Sequence, residues 1–225
     1  MRARSLLRAA VLLTAAALHL AAVGEDGVVD RPVLTAGDRW VYRVIDGFTG
    51  LERSQYGLSI VEATWPRPTV SSGPSMRDGR RVSPPYGDKG ESWSWPPTGR
   101  TESGTYELVE FPLQVGKEWS MEFDVAYHGE TGEISQVMPD RRKARVEAWE
   151  TIRVPAGEFR VLRVVNEGRR RMHRRDGEFN VPVRETVWYS PDVKNFVKRE
   201  ARWRESGPGG FKDHVIWELV EYEVK

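Results

Sequence analysis

Three histidines, His128, His173 and His214, lie beyond the N-terminal apolar run, and an imidazole could serve as a base or a metal ligand. None stands at ligand spacing from another and no His-Glu-x-x-His pair occurs, so no metal site is expected. The chain has no Cys, which removes thiolate zinc sites, disulfides, a cysteine nucleophile and a bacterial lipid-anchor cysteine. A Gly-x-Ser-x-Gly elbow, a phosphate-cradling Gly-x-x-x-x-Gly-Lys-Ser/Thr loop and a dinucleotide fingerprint are all missing, so no cofactor is expected. Glu122 and Asp124 share the polar side of one strand-like run. A glycosidase needs two carboxyls set a few ångströms apart across a cleft, a distance that spacing along the chain does not supply. The chain is therefore expected not to be an enzyme, with a hydrolase using spatially assembled carboxylates as a second alternative.

Two other residue classes could bind rather than react. Arg169, Arg170, Arg171, His173, Arg174 and Arg175 form the densest local charge, and Arg141, Arg142 and Lys143 open the strand before the preceding hairpin. An antiparallel arrangement could bring both clusters to one end of a sheet, as an anion patch for phosphorylated headgroups, acidic glycans or an acidic partner. Alternation sends Arg169 and Arg171 to one side of the strand and Arg170 and Arg174 to the other. A solvated, charge-balanced surface, with Glu147, Glu150 and Glu167 as cross-strand partners, is the bland counterpart.

Nine Trp is heavy usage for 225 residues. Trp40, Trp119 and Trp203 keep phase with apolar neighbours and read as core. Trp149 falls on an otherwise polar face with Glu147 and Thr151, and Trp188 and Trp217 face away from Val187 and Ile216. With Tyr86, Trp93 and Trp95 these form a candidate set for an amphiphile pocket or for stacking on sugar rings.

The elements that must position these residues are strands. In Trp119-Ser120-Met121-Glu122-Phe123-Asp124-Val125 apolar and polar side chains alternate without a break. Ala144, Val146, Ala148, Ile152 and Val154 are expected on one face, with Arg145, Glu147, Thr151 and Arg153 on the other. Similar runs cover 40–45, 58–63, 159–165, 186–189, 197–203 and 215–224. Turn signals separate them: Asp46-Gly47, Pro155-Ala156-Gly157, Asp176-Gly177, Ser190-Pro191-Asp192 and Gly207-Pro208-Gly209-Gly210. No helical apolar stripe with caps is evident. The expected fold is all-β and mainly antiparallel: a curved meander of about eight to ten strands, as a half-barrel or a sandwich. Residues 66–104 break the pattern, with 7 Pro and 6 Gly among 39 positions, and read as a long insert loop.

Charge and address complete the reading. Lys and Arg number 34 against 33 Asp and Glu, a balance that does not suit a dedicated nucleic-acid binder. Arg2, Arg4 and Arg8 precede an uncharged apolar run from Ala9 to Ala22, the pattern of a signal peptide rather than of a span. Residues 1–24 are expected to be removed after Ala22 or Gly24, leaving 31 basic against 33 acidic residues in a single β domain over 25–225. No later stretch is apolar enough to cross a membrane. The expected location is periplasmic or extracellular, in a bacterial envelope.

Several phrases in this order resemble one family. They are Gly37-Asp38-Arg39-Trp40-Val41-Tyr42, Phe111-Pro112-Leu113-Gln114-Val115-Gly116-Lys117-Glu118-Trp119 and Val154-Pro155-Ala156-Gly157-Glu158-Phe159. Trp188-Tyr189-Ser190-Pro191-Asp192-Val193 follows, then Phe196-Val197-Lys198-Arg199-Glu200 and Glu218-Leu219-Val220-Glu221-Tyr222. Together they resemble the TapB-like group of exported bacterial proteins, whose role is largely undefined and whose architecture is similar to the half-barrel carriers of lipoproteins and lipids. The resemblance spans about 37–225 apart from the insert. It implies a fold and a compartment and brings no catalytic motif. Those carriers cover the concave face of their sheet with helices, which this chain does not offer. The function expected is a non-enzymatic envelope protein binding an amphipathic, lipid-like ligand or a protein partner. A carbohydrate- or cell-wall-binding module is the alternative, and partner binding along exposed strand edges a further one.

Overall fold

The structure is a computed structural model. It describes residues 27–63, 69–73, 76–77, 80–81, 101–104, 107–128, 134–174, 177–204 and 212–225. The signal-like residues 1–24 and most of the insert, with Tyr86, Trp93 and Trp95, lie outside the described residues, as does Arg175.

The described residues form twelve strands in chain order: β1 (Arg39–Asp46), β2 (Glu52–Glu62), β3 (Thr69–Gly73), β4 (Met76–Arg77), β5 (Arg80–Arg81), β6 (Thr101–Gly104), β7 (Glu118–His128), β8 (Ile134–Val154), β9 (Gly157–Arg174), β10 (Gly177–Ser190), β11 (Asn195–Arg204) and β12 (Lys212–Glu223). Ten of them form one sheet in the order β3-β2-β1-β12-β11-β10-β9-β8-β7-β6, and β4 and β5 pair separately. The pairs in the large sheet are antiparallel. The fold is thus all-β, as the alternation predicts, and it is one open sheet rather than a sandwich of two. Among the described residues the only helix is a single 3-10 turn, Pro191–Val193. No described helix is long and apolar enough to cross a membrane.

The meander is interrupted once, where β1 pairs with β12. The expected insert loop begins and ends in strand: β3 and β6 lie within 66–104 and form the two edges of the sheet.

One face of the sheet, called inner here, carries Trp40, Tyr42 and Val44 of β1, Trp119, Met121 and Phe123 of β7, and Ala144 and Val146 of β8. Leu162 and Val164 of β9, Val187 and Tyr189 of β10, Ala201 of β11, and Trp217 and Leu219 of β12 continue it. No α-helix covers this face among the described residues, although Val193 of the 3-10 turn packs into its core. Leu108, Val109 and Leu113 of the segment before β7 join the same core, with Val29 and Leu34 packed against it. Val29 and Leu113 exchange backbone hydrogen bonds of 2.8 Å, which tie the covering segments together. Trp40 Nε1 donates to the Val193 carbonyl at 2.7 Å and Tyr42 Oη to that of Phe196 at 2.8 Å. Each aromatic thereby buries its ring without orphaning its polar tip.

The β8–β9 hairpin departs from simple alternation. Val146 pairs with Val164, but the register then slips, and Ala148 pairs with Arg163 and Trp149 with Leu162. Glu147 is the extra residue of a β-bulge, which inverts the phase of everything after it. Trp149 therefore shares the inner face with Val146, which corrects its expected place on the polar face. Ala148, Ile152 and Val154 likewise do not share the face of Ala144 and Val146. Ile152, Val154 and Phe159 nevertheless pack into the core, because the hairpin tip docks back on β12. There the Ala156 N–H donates to the Leu219 carbonyl at 3.1 Å, and Phe159 meets Tyr222 edge-to-face at 5.8 Å. Val161 and Leu162 are both fully buried, so this hairpin is covered on its two sides. Gly157 at the tip adopts φ +141°, a conformation that favours glycine.

Candidate functional site: a mixed-charge groove and a buried ion network

The alternation of β8 and β9 divides the basic clusters between two environments. Arg141, Lys143, Arg169 and Arg171 point outward and are exposed. Arg141 pairs with Glu122 at 2.7 Å and Arg171 with Glu178 at 3.4 Å, while Lys143 stands opposite Glu167 in the β8–β9 register. Arg142 and Arg170 turn inward. For Arg174 the strand alone is described. The clusters do meet in register at one end of the β8–β9 pair, Arg141 beside Arg169, but they do not form a single face.

The inward half builds a network that spacing alone did not reveal. Arg142 donates to both oxygens of Asp140, at 2.9 and 2.8 Å, and to Glu185 at 2.8 Å. Arg170 donates to Asp140 at 2.9 Å, and Arg199 bonds to the other oxygen of Glu185. Asp140 and Glu185 are 0% and 1% exposed, and guanidiniums stand in for the water that each carboxylate has given up. Arg142 lies 5.4 Å from the Phe123 ring centroid and Arg199 4.6 Å from that of Trp217. Trp217, expected on a ligand-facing surface, is thus a core residue lidded by an arginine.

Glycine makes the network reachable. Arg142 on β8 bonds to Glu185 on β10, across β9, and the β9 residue paired with Arg142 is Gly168. A Cβ there would lie 2.0 Å from the Arg141 carbonyl oxygen. Only a residue without a side chain lets the two strands approach this closely.

On the outer face, β8 to β11 frame a groove of about 300 Å³ around Arg163, Val165, Arg184, Thr186, Trp188 and Arg202, with Glu147 and Glu200 on its rim. Val165 pairs with Thr186 and Arg163 with Trp188, giving a short apolar floor beside a half-buried indole. Every guanidinium here has a carboxylate partner: Arg163 with Glu147 at 2.9 Å and Glu150 at 3.4 Å, Arg184 with Glu167 at 2.9 Å, and Arg202 with Glu200. Trp188 Nε1 donates to Glu150, and Lys198 sits 5.5 Å from the Trp188 ring centroid. Glu147 and Glu150 thus act as cross-strand partners for Arg163, and Glu167 for Arg184 with Lys143 of the basic cluster on its other side. Burial alone would raise the Glu200 carboxyl, but hydrogen bonds from His214 and Arg202 hold it below the usual carboxylate range. His214 is the one candidate histidine whose side chain is described, and it rests 2.7 Å from Glu200.

Of the described candidate aromatics, Trp188 is the one lining this groove. Trp149 is half-buried on the inner face, with the Arg160 guanidinium 4.5 Å from its ring centroid. The structure does not bring Trp149, Trp188 and Trp217 into one pocket. Asp140, Glu185 and Arg199 were missed, although the phase marked two of them: Asp140 falls in step with Ala144 and Val146, and Glu185 with Val183 and Val187.

No family model and no curated protein matches the chain, so the TapB-like resemblance rests on its quoted motifs alone. Two solved structures are similar in outline. One is a candidate lipoprotein from Parabacteroides distasonis ATCC 8503, 13% identical, covering 88% of this chain and 100% of its own, with a TM-score of 0.42. The other is a candidate exported protein with YmcC-like fold from Bacteroides fragilis NCTC 9343, 10% identical, with the same coverage and TM-score.

Proposed function

We propose that this chain is an exported, non-enzymatic binding protein that takes an amphipathic ligand, or the mixed-charge side chains of a partner protein, in the outer groove at Trp188. The carrying observation is that groove: an indole and a small apolar floor ringed by three guanidiniums and their carboxylates. Export is supported by the signal-like pattern of residues 1–24. A volume of about 300 Å³ is at the small end for ligand sites, and suits a polar headgroup or a few side chains. The inner face is filled by the protein's own Trp40, Trp217 and Leu162, which favours recognition on the outside over a lipid chain held within. A general acid needs a raised pKa, whereas the groove carboxylate Glu200 is shifted the other way.

The test is native mass spectrometry of the protein purified from a bacterial envelope, under gentle and denaturing conditions. An added mass lost on denaturation, and lost also in Trp188→Ala and Arg184→Ala, is the expected result for a small ligand. A partner would instead co-purify with the parent and not with these variants. Retention of the same mass or partner by both variants would remove the groove from the function.

A further inference from the structure

A second cavity, of about 340 Å³, lies beyond the end of β10, apart from the groove and independent of it. Asp30, Thr35, Tyr189, Pro191, Lys194 and Lys225 line it. Its wall is organised by Asp38, which is fully buried. Asp38 accepts the backbone N–H of Thr35 at 2.9 Å and of Lys225 at 2.8 Å, and the Lys194 ammonium at 3.1 Å. Lys194 holds φ +57°, the left-handed region where a side-chain-bearing residue is uncommon, and its ammonium is delivered to this point by that turn.

Three polar groups remain after Asp38 is satisfied. Lys225 Nζ donates to the Ala36 carbonyl at 3.0 Å and has no carboxylate partner among the described residues, which leaves two of its donors for a ligand. Lys194 adds the one donor left after Asp38 and the main-chain oxygen of Lys225. The Tyr189 hydroxyl is buried without a hydrogen-bond partner among the described residues, on a ring fixed edge-to-face against Phe111 at 5.3 Å. A buried phenol without a partner is costly, and an acceptor in the cavity would relieve that cost. On the same lining, Asp30 is an exposed carboxylate with no cation partner among the described residues.

We propose that this cavity is a site for a small zwitterion bearing an oxyanion and an amine. The oxyanion accepts from Lys225, Lys194 and the Tyr189 hydroxyl; the amine is held by Asp30. Charge-assisted hydrogen bonds to ammonium groups and to a carboxylate are the strong class, and the paired signs discriminate against a simple anion.

Titration calorimetry of the full purified protein tests this with three probes: O-phosphoethanolamine, glycine and inorganic phosphate. Saturable binding of O-phosphoethanolamine or glycine, tighter than that of inorganic phosphate, is expected. Binding of both zwitterions indicates oxyanion recognition in general, and of O-phosphoethanolamine alone a phosphorylated headgroup. Tyr189→Phe keeps the ring packing and is expected to weaken binding about five- to tenfold, the loss of one hydrogen bond. Lys225→Met is expected to weaken all probes, and Asp30→Asn the zwitterions while sparing inorganic phosphate. The unliganded melting temperature of each variant reports that it is folded. No saturable heat with any probe, inorganic phosphate binding as tightly as the zwitterions, or binding indifferent to Lys225→Met and Asp30→Asn would each overturn the proposal.

Discussion

Arg141 and Arg142 are adjacent in the chain, and their side chains occupy opposite environments. Arg141 stands on the outer face, 75% exposed, against a Glu122 that is 69% exposed. Arg142 is 2% exposed and held between Asp140 and Glu185. The split repeats on the next strand, with Arg169 outside and Arg170 inside. Outside, hydration competes with each ion pair, and the pair adds little. Inside, a charge without a partner costs several kcal/mol, so guanidinium and carboxylate stand or fall together. One run of basic residues therefore builds a solvated surface and a buried clasp, and position along the pleat decides which.

The comparison is broken most severely by removing the clasp. Arg142→Ala leaves two buried carboxylates short of a partner and is expected to destabilise the fold by about 3–5 kcal/mol in urea unfolding. A loss below about 1 kcal/mol would mean that water reaches the network. Gly168→Ala forces the β8 backbone away from β9 and should cost about 1–3 kcal/mol, visible as a lower melting temperature.

Acid sharpens the contrast from the outer side. The folded-state pKa of Glu200 is depressed, so its contribution is present above the unfolded value of about 4.3 and is lost as pH falls through the lower folded value. Asp46, held down by hydrogen bonds from Arg53 and from the Thr49 and Phe48 amides, acts in the same direction. Glu200→Gln should flatten this acid limb when stability is followed from pH 6 to pH 3. Glu107 has the opposite sign: burial, then the neighbouring Glu110, raises its pKa, so its ionised form is disfavoured in the folded state. Glu107→Gln is expected to stabilise slightly at pH 7 and to lose that advantage in acid. The smallest effect belongs to Arg141→Ala, within about 0.5 kcal/mol, because its partner returns to water unhindered. A large loss there would erase the distinction between the two faces.

The groove and the network were legible to different degrees. Trp188 stood out because it faces away from Val187, and the structure does place it on the outer face. Asp140 and Glu185 carried the same kind of signal, a charge in step with apolar neighbours, yet charge in a strand reads first as surface. The bulge at Glu147 left no mark that spacing could detect. One extra residue moved Trp149 from the polar side to the core side.

By itself, the sequence determined that the chain forms antiparallel strands, that turns fall at Asp46-Gly47, Pro155-Ala156 and Pro191-Asp192, and which side of each unbroken stretch is apolar. These follow from local sterics and from a period of two, which need no knowledge of the partner strand. Tertiary structure alone decided that β1 pairs with β12, that the β8–β9 tip folds onto β12, and that Arg142 meets Glu185 across a glycine. Those contacts join residues far apart in the chain. Their energies depend on burial and on a partner's position, neither of which exists until the sheet has assembled.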